Sequence, residues 1–148
     1  MRKLSKKPWF PVKAPVTVRF SDVDIMGHVN NARYLSYFEQ ARVEYYKRLK
    51  LLDLRKMNGR SAFGFIVGEI TIKFHAPATI DETLIVGIRV AELRTKAYRM
   101  EYEIHEKKSK RLIATGTSVQ VMYNYKKEKT IPIPPNLRRR IMRLEKQS

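Results

Sequence analysis

The chain has 148 residues, of which 31 are Lys or Arg and 14 are Asp or Glu, so its formal net charge is +17 at pH 7. A hydrophobic fraction of 43% suffices for one packed core, and we expect a single domain over residues 1–148. The chain contains no cysteine, which excludes disulfides, thiolate metal sites and a cysteine nucleophile. No apolar run approaches the ~18 residues of a membrane span, and the N-terminus has no apolar signal region. We therefore expect a cytoplasmic protein with no membrane span.

The positive charge is concentrated towards the two ends of the chain. Residues 1–14 form a lead-in with five basic and no acidic residues, and residues 126–148 form a tail with eight basic and two acidic residues. Two solvated basic segments are the simplest interpretation. The alternative is a surface that attracts the phosphates of a nucleic acid or of an anionic ligand. Charge alone does not decide between these interpretations.

The first predicted elements are a strand and a long helix. Val16, Val18 and Phe20 alternate with polar residues, which is the period of a half-buried strand. From Asn31 to about Leu49 the apolar spacing changes to that of a helix, and its members form one stripe: Tyr34, Phe38, Ala41, Tyr45 and Leu49. The segment 52–65 is then predicted to be a connection.

Four further strands follow the connection. Apolar alternation marks them at residues 70–74, 84–90, 98–104 and 113–123, and a short basic helix is expected after Pro135. One strand, one long helix and four strands joined by short turns indicate an α+β fold with an antiparallel sheet. Since both the helix stripe and the strand faces need burial, we expect a curved sheet of about five strands wrapped around one long central helix.

The segment FSDVDIMGHVNNARYLSYFEQAR, residues 20–42, runs from the end of the first predicted strand into the predicted helix. A helix N-terminus carries unpaired N–H groups and a partial positive charge, and Asn30 or Asn31 is a favourable N-cap. Gly27 can adopt a positive φ angle. With the carboxylate of Asp24 beside them, these donors would be the minimum apparatus for acyl transfer to water. The same residue types are common in turns and caps, so a purely structural role stays open.

This segment resembles the signature of the 4-hydroxybenzoyl-CoA thioesterase family, which consists of hotdog-fold acyl-CoA thioesterases. The resemblance rests on Asp22, Asp24, Gly27, Val29, the pair Asn30 and Asn31, and Tyr34. A looser similarity extends over residues 15–133. The resemblance implies a hotdog fold and an enzyme that hydrolyses an acyl-CoA thioester to the free acid and CoA, with no cofactor because CoA is part of the substrate.

The resemblance also implies roles for individual residues. Asp24 would act as nucleophile or general base, the backbone N–H of Asn31 would polarise the thioester carbonyl, and Asp22 would shape the turn. Substrate contacts would come from Gly27, His28, Val29, Asn30 and Tyr34. No grouping of histidines and carboxylates resembles a metal site, so none is expected.

Two other side chains compete for the role of base. His28 has a type of side chain that titrates near neutral pH, but lining the pocket or a structural hydrogen bond is the favoured interpretation. Glu39 lies on the predicted helix, where we expect it to pair with Arg42 or with neighbours on the side of Val43.

The resemblance further implies a homodimer or homotetramer, in which two sheets join edge to edge and the active site lies between subunits. Basic residues near strand ends would bind the phosphates of CoA, with Arg60, Lys73, Lys96 and Arg99 as candidates. An acyl-carrier-protein thioesterase on the same fold is one alternative, and a basic nucleic-acid-binding module is another. No nucleic-acid motif is present, so no specific nucleic acid is expected as a partner.

Overall fold

The computed structural model describes residues 2–3, 9–50 and 63–146. Their elements, in chain order, are β1 (Arg2–Lys3), β2 (Val12–Thr17), a 3-10 turn (Phe20–Asp22), α1 (Arg33–Arg48), β3 (Phe63–Phe74), β4 (Thr83–Leu93), β5 (Ala97–Glu106), β6 (Leu112–Asn124), β7 (Lys129–Thr130) and α2 (Pro135–Lys146). Most of the predicted connection at 52–65 lies outside the described residues, and its last residues belong to a strand instead, since β3 begins at Phe63. Neither helix in the described part of the chain is long and apolar enough to cross a membrane.

All the described strands belong to one antiparallel sheet, as predicted. The order is β1-β4-β5-β6-β3, with β2 also paired to β4 and β7 paired to β6. The five longer strands correspond to the predicted ones, although β2 spans Val12–Thr17 where residues 16–20 were predicted. The strands β1 and β7 add two residues each. The starts of β4 and β6 and the ends of β2, β3 and β5 lie together at what we call the Asp24 end. The β4–β5 turn and the β6–β7 hairpin lie at the opposite, far end.

Helix α1 covers one face of the sheet and packs on β2 and β4. All members of the predicted stripe are buried, and the ring of Phe38 stacks on that of Tyr102 at 4.2 Å between centroids. Burial of each large apolar side chain contributes about 1.5–3 kcal/mol. The buried face is wider than predicted, because Tyr37, Arg42 and Tyr46 are also buried.

The expected ion pair between Glu39 and Arg42 is wrong. Arg42 points inward, and its Nη1 donates to the hydroxyl of Tyr102 at 3.1 Å, while Glu39 stays exposed. The Tyr102 hydroxyl also lies 2.5 Å from Oγ of Ser118. A guanidinium satisfied beneath the helix is therefore unavailable to a carboxylate on its surface.

The face that β6 buries is not the one that its apolar residues mark. The odd-numbered residues from Thr115 to Tyr123 share a face as expected, but they are only half-buried. The even-numbered residues face α1, and Ser118 and Gln120 are fully buried. Nε2 of Gln120 donates to Oγ of Ser118, whereas Oε1 of Gln120 is buried without a hydrogen-bond partner among the described residues. Hydrogen bonding therefore satisfies these polar side chains only in part.

The described residues contain a second helix, α2, at the place where a short basic helix is expected after Pro135. The 12-residue α2 buries Leu137, Ile141 and Leu144 along a single stripe. Its Glu145 is also buried, where Oε2 accepts hydrogen bonds from the Tyr45 hydroxyl at 2.5 Å and the Val90 backbone N–H at 2.9 Å. The basic tail is thus partly a docked helix.

Candidate active site

A closed loop connects β2 to α1. Backbone contacts close its base and attach it to residues 78 and 79 of the segment between β3 and β4. Val23 and Val29 form a bridge across its base, and His28 forms another with Thr79. The backbone N–H of Val29 donates to the carbonyl of Ala78 at 2.9 Å. The predicted inward position of Phe20 is wrong, because β2 ends at Thr17 and Phe20 enters the 3-10 turn with its ring 82% exposed.

Residues 24–28 form the tip of this loop. The Asp24 N–H donates to the carbonyl of His28 at 2.8 Å, and the Gly27 N–H donates to the carbonyl of Asp24 at 3.0 Å. Gly27 has a φ of 80°, a conformation that side chains with a Cβ rarely adopt. Ile25 and Met26 are 100% and 75% exposed, so the tip leaves apolar surface uncovered beside Asp24.

Asp22 is buried and fully engaged within the fold. Its Oδ2 accepts hydrogen bonds from the Arg19 backbone N–H at 3.0 Å and the Tyr37 hydroxyl at 2.9 Å, and its Oδ1 lies 3.4 Å from the Arg19 guanidinium. Burial alone would raise the pKa of Asp22, but these donors outweigh it and hold the pKa below its ordinary value. Asp22 therefore ties the loop to α1 as a buried anion.

Asp24 has the opposite environment. Its side chain is exposed at the loop tip, and Oδ1 accepts one hydrogen bond, from the Met26 backbone N–H at 2.9 Å. Among the described residues, no donor pairs with Oδ2. One carboxylate of the Asp-Val-Asp sequence is thus structural, whereas the other is oriented by its own loop and open to a ligand.

The two asparagines lead into α1 in different ways. Asn30 donates its backbone N–H to the carbonyl of Asp22 at 2.8 Å, while its Oδ1 accepts from the Ala32 N–H at 3.0 Å. Helix α1 begins at Arg33 with Ala32 as N-cap, so the predicted asparagine N-cap is displaced by one or two residues. The backbone N–H of Asn31 has no acceptor within the described part of the chain.

The predicted substrate contacts divide into exposed and buried residues. Gly27, His28 and Asn30 are exposed, whereas Val29 and Tyr34 are 3% and 2% exposed and belong to the core. The Tyr34 ring packs edge-on against those of Tyr37 and Phe74, and burial raises the pKa of its hydroxyl. Tyr34 therefore packs as expected. The substrate contacts of all five residues remain predictions.

The cations considered for the CoA phosphates are not grouped. Lys73 and Lys96 are exposed at opposite ends of the sheet, and Arg99 pairs with Glu101 at 3.1 Å. Arg60 lies outside the described residues. Over the described ranges, no group of three histidines or carboxylates is placed to hold a metal ion.

A family model for the thioesterase-like superfamily matches residues 18–141, which include the whole loop and both helices up to Ile141. The chain belongs to this superfamily. A solved thioesterase-like structure, a thioesterase from Thermus thermophilus complexed with coenzyme A and Zn, superposes with a TM-score of 0.79 at 32% identity over 96% of this chain and 100% of that one. The antiparallel sheet and helix are therefore those of the hotdog fold.

Two curated relatives carry the same similarity. The long-chain acyl-CoA thioesterase FadM of Escherichia coli K12 is 24% identical over 91% of this chain and 100% of its own length. The acyl-CoA thioesterase YbgC of Haemophilus influenzae is 34% identical, but the match spans 54% of this chain and only 58% of that protein. The resemblance to a thioesterase family is thus confirmed at the level of the superfamily, and the narrower 4-hydroxybenzoyl-CoA family stays a prediction.

Tyr37 and Arg19 are the residues at this site that the sequence patterns missed. Tyr37 lies three residues after Tyr34 and therefore next to it on the helix surface. That spacing could have suggested a second aromatic side chain directed at the loop. Nothing in the sequence indicated that its hydroxyl would meet Asp22, fifteen residues away.

Proposed function

We propose that the protein hydrolyses acyl-CoA thioesters to a free acid and CoA, with Asp24 as the nucleophile or general base. The observation that carries the proposal is the contrast between the two loop carboxylates. Asp22 is 1% exposed and hydrogen-bonded on both oxygens, whereas Asp24 is exposed with Oδ2 unpaired among the described residues. A carboxylate in this position can attack an acyl carbon or take a proton from water.

The backbone N–H of Asn31 would polarise the thioester carbonyl. This N–H has no acceptor in the described chain, and it lies one residue before the N-cap of α1, near the positive end of the helix dipole. Both facts support this role. A donor held by the backbone needs no reorganisation when negative charge develops on the oxygen, and one such donor is worth about 3–4 kcal/mol in other hydrolases. The exposed Ile25 and Met26 would contact the acyl group or the pantetheine arm.

The relatives support the class of substrate. FadM and YbgC are named as acyl-CoA thioesterases, and the Thermus structure contains coenzyme A. A panel of acyl-CoA substrates, each assayed by the release of free CoA thiol, tests the proposal. We expect release of CoA from at least one acyl-CoA. Glu39 is the rival carboxylate and has no role in this proposal, so release should persist in Glu39→Gln. If no acyl-CoA is hydrolysed but the thioester of an acyl carrier protein with an acyl chain of the same length is, the carrier-protein alternative would be favoured.

We also propose that two copies of the chain associate through β3. This strand is at one edge of the described sheet, and its Ile66 and Val67 are 40% and 39% exposed. An unpaired edge with apolar side chains is an aggregation hazard unless another strand covers it. Light scattering on a size-exclusion column should give the mass of a dimer or tetramer. Val67→Lys should shift that mass towards the monomer, and a monomeric wild type would contradict the proposal.

A further inference from the structure

The far end of the molecule carries a dense set of exposed cations, which we call the basic surface. The β4–β5 turn, the β6–β7 hairpin and α2 contribute its members: Arg94, Lys96, Lys126, Lys127, Lys129, Arg139, Arg143 and Lys146. Backbone hydrogen bonds join the three segments, from Ile133 N–H to the carbonyl of Thr95 and from Met122 N–H to that of Lys96. These cations therefore lie on structured elements that are tied together.

Helix α2 presents its positive charge in a row. Arg139, Arg143 and Lys146 follow the spacing of four and three residues that places side chains on one face of a helix, and all three are exposed. The opposite face holds Leu137, Ile141 and Leu144 in the core. Since a helix rises 1.5 Å per residue, the row is about 10 Å long.

The one acidic residue of α2 does not neutralise this row. Glu145 is directed inward to the Tyr45 hydroxyl and the Val90 N–H, and it is 4% exposed. Within the described residues, no carboxylate lies within ion-pair distance of Arg139, Arg143 or Lys146. Two further arginines fix the helix instead, with Arg138 donating to the carbonyl of Arg94 at 2.6 Å and Arg140 to that of Leu49 at 2.9 Å.

We propose that the basic surface binds the phosphate backbone of nucleic acid without sequence specificity. This activity is independent of the proposed hydrolysis, whose candidate residues lie at the Asp24 end. Arg94 pairs with Glu92 at 3.2 Å, but no ion pair among the described residues engages the other members of the surface. Exposed cations without carboxylate partners attract phosphates, and arginines bind them with two parallel hydrogen bonds. Among the described residues of this surface, Tyr125 is the one strongly exposed side chain that is large and apolar or aromatic. Its ring lies beside that of Tyr123. A surface with so little apolar area fits a nucleic acid better than a protein partner or an inserted lipid contact.

The test is fluorescence anisotropy of labelled oligonucleotides with the full chain. Two unrelated sequences, each single-stranded and duplex, should bind with similar Kd at a given salt concentration. Kd should rise steeply between about 50 and 200 mM salt, since bound phosphates release counterions. The triple variant Arg139→Gln, Arg143→Gln, Lys146→Gln should weaken binding at least tenfold and reduce the salt slope by about 2 to 3.

A matched control removes the same charge from the Asp24 end. Lys107, Lys108 and Lys110 are exposed on the β5–β6 turn, and the triple variant Lys107→Gln, Lys108→Gln, Lys110→Asn should bind oligonucleotides within about twofold of wild type. Asn is chosen for residue 110 because its φ is 63°, which Asn tolerates. Circular dichroism checks that both variants fold.

Three outcomes would overturn the inference. The first is that the wild type binds no oligonucleotide at low salt. The second is that the control triple variant weakens binding as much as the α2 triple variant does. The third is that vesicles of anionic phospholipid, or an acidic acyl carrier protein, bind more tightly than the oligonucleotides at equal salt and lose that binding in the α2 triple.

Discussion

The hydroxyl of Tyr37 donates a 2.9 Å hydrogen bond to Oδ2 of Asp22, and this contact joins the first turns of α1 to the loop that carries Asp24. Both partners are buried, and burial together with the Asp22 carboxylate raises the pKa of the Tyr37 hydroxyl so that it stays a donor. The same aspartate accepts from the Arg19 backbone and offers its own carbonyl to the Asn30 N–H. Asp22 therefore holds the loop against the entrance of the helix.

Removal of the Tyr37 hydroxyl should loosen the loop. In Tyr37→Phe, Asp22 keeps its Arg19 contacts but loses a donor to a buried charge, which costs about 1.5–3 kcal/mol of the free energy of unfolding. We expect kcat for thioester hydrolysis to fall about tenfold as the loop geometry relaxes. Tyr46→Phe is the control. Tyr46 lies on the same helix as Tyr37, and its buried hydroxyl contacts the hydroxyl of Tyr98 far from the loop. Equal losses of kcat in both variants would show that the Tyr37 contact has no special role.

Asp22 should make the free energy of unfolding decrease as the pH becomes acidic. Its pKa is held below the ordinary 3.8 in the folded state, so its stabilisation is present above that value and is lost as the pH falls through the folded pKa. Asp22→Asn should lower the free energy of unfolding by about 2 kcal/mol at neutral pH and lose less stability than wild type below pH 4. Denaturant unfolding at pH 3 and pH 7 measures this. Parallel losses in the two proteins would argue against a buried anion.

Glu145 should make the free energy of unfolding decrease as the pH rises, which is the opposite of the effect of Asp22. Burial raises its pKa from 4.5 to about 7 although the Tyr45 hydroxyl and the Val90 N–H both donate to it. A raised folded pKa gives stability that is complete below about pH 4.5 and is lost progressively as the pH rises to about 7. The loss is at most about 3 kcal/mol. Melting curves at pH 5 and 8 should show it in wild type and in the exposed control Glu128→Gln, but not in Glu145→Gln.

Gly27 should be required for its backbone conformation rather than for space. A Cβ at this position would meet nothing within 4 Å, but φ is 80°. Gly27→Ala should cost about 1 kcal/mol in stability through strain and should reduce kcat by displacing Asp24. Gly27→Asn, which tolerates this conformation, should retain more activity than the alanine variant. If the alanine variant is as active as wild type, the tip geometry does not matter for hydrolysis.

Much of the fold was predictable because its apolar residues are periodic. Leu84, Val86, Ile88 and Val90 alternate and are all fully buried, and the stripe from Tyr34 to Leu49 is the face that α1 buries. The strand β6 was harder, since its inner face holds Ser118 and Gln120, and Ser118 depends on a hydrogen-bond partner that is distant in sequence, Tyr102. Local periodicity contains no information about such partners.

The candidate site was predictable in its residues but not in its contacts. The Asp-Val-Asp sequence and Gly27 indicated a turn, and the turn is present with the expected positive φ. Which aspartate is buried could not be read from spacing, because the answer depends on Tyr37 and on where β2 ends. Phe20 illustrates the second point, since alternation placed it inside while the 3-10 turn exposes it.

The central claim is that the carboxylate of Asp24 takes part in thioester cleavage, and the most direct measurement is the rate of CoA thiol release by Asp24→Asn with the best acyl-CoA found for wild type. Because Asp24 is exposed and its loop is held by Asp22, the variant should melt within a few degrees of wild type. We predict a fall in kcat of at least a hundredfold with little change in KM. A folded Asp24→Asn protein that releases CoA at the wild-type rate would contradict the proposed function.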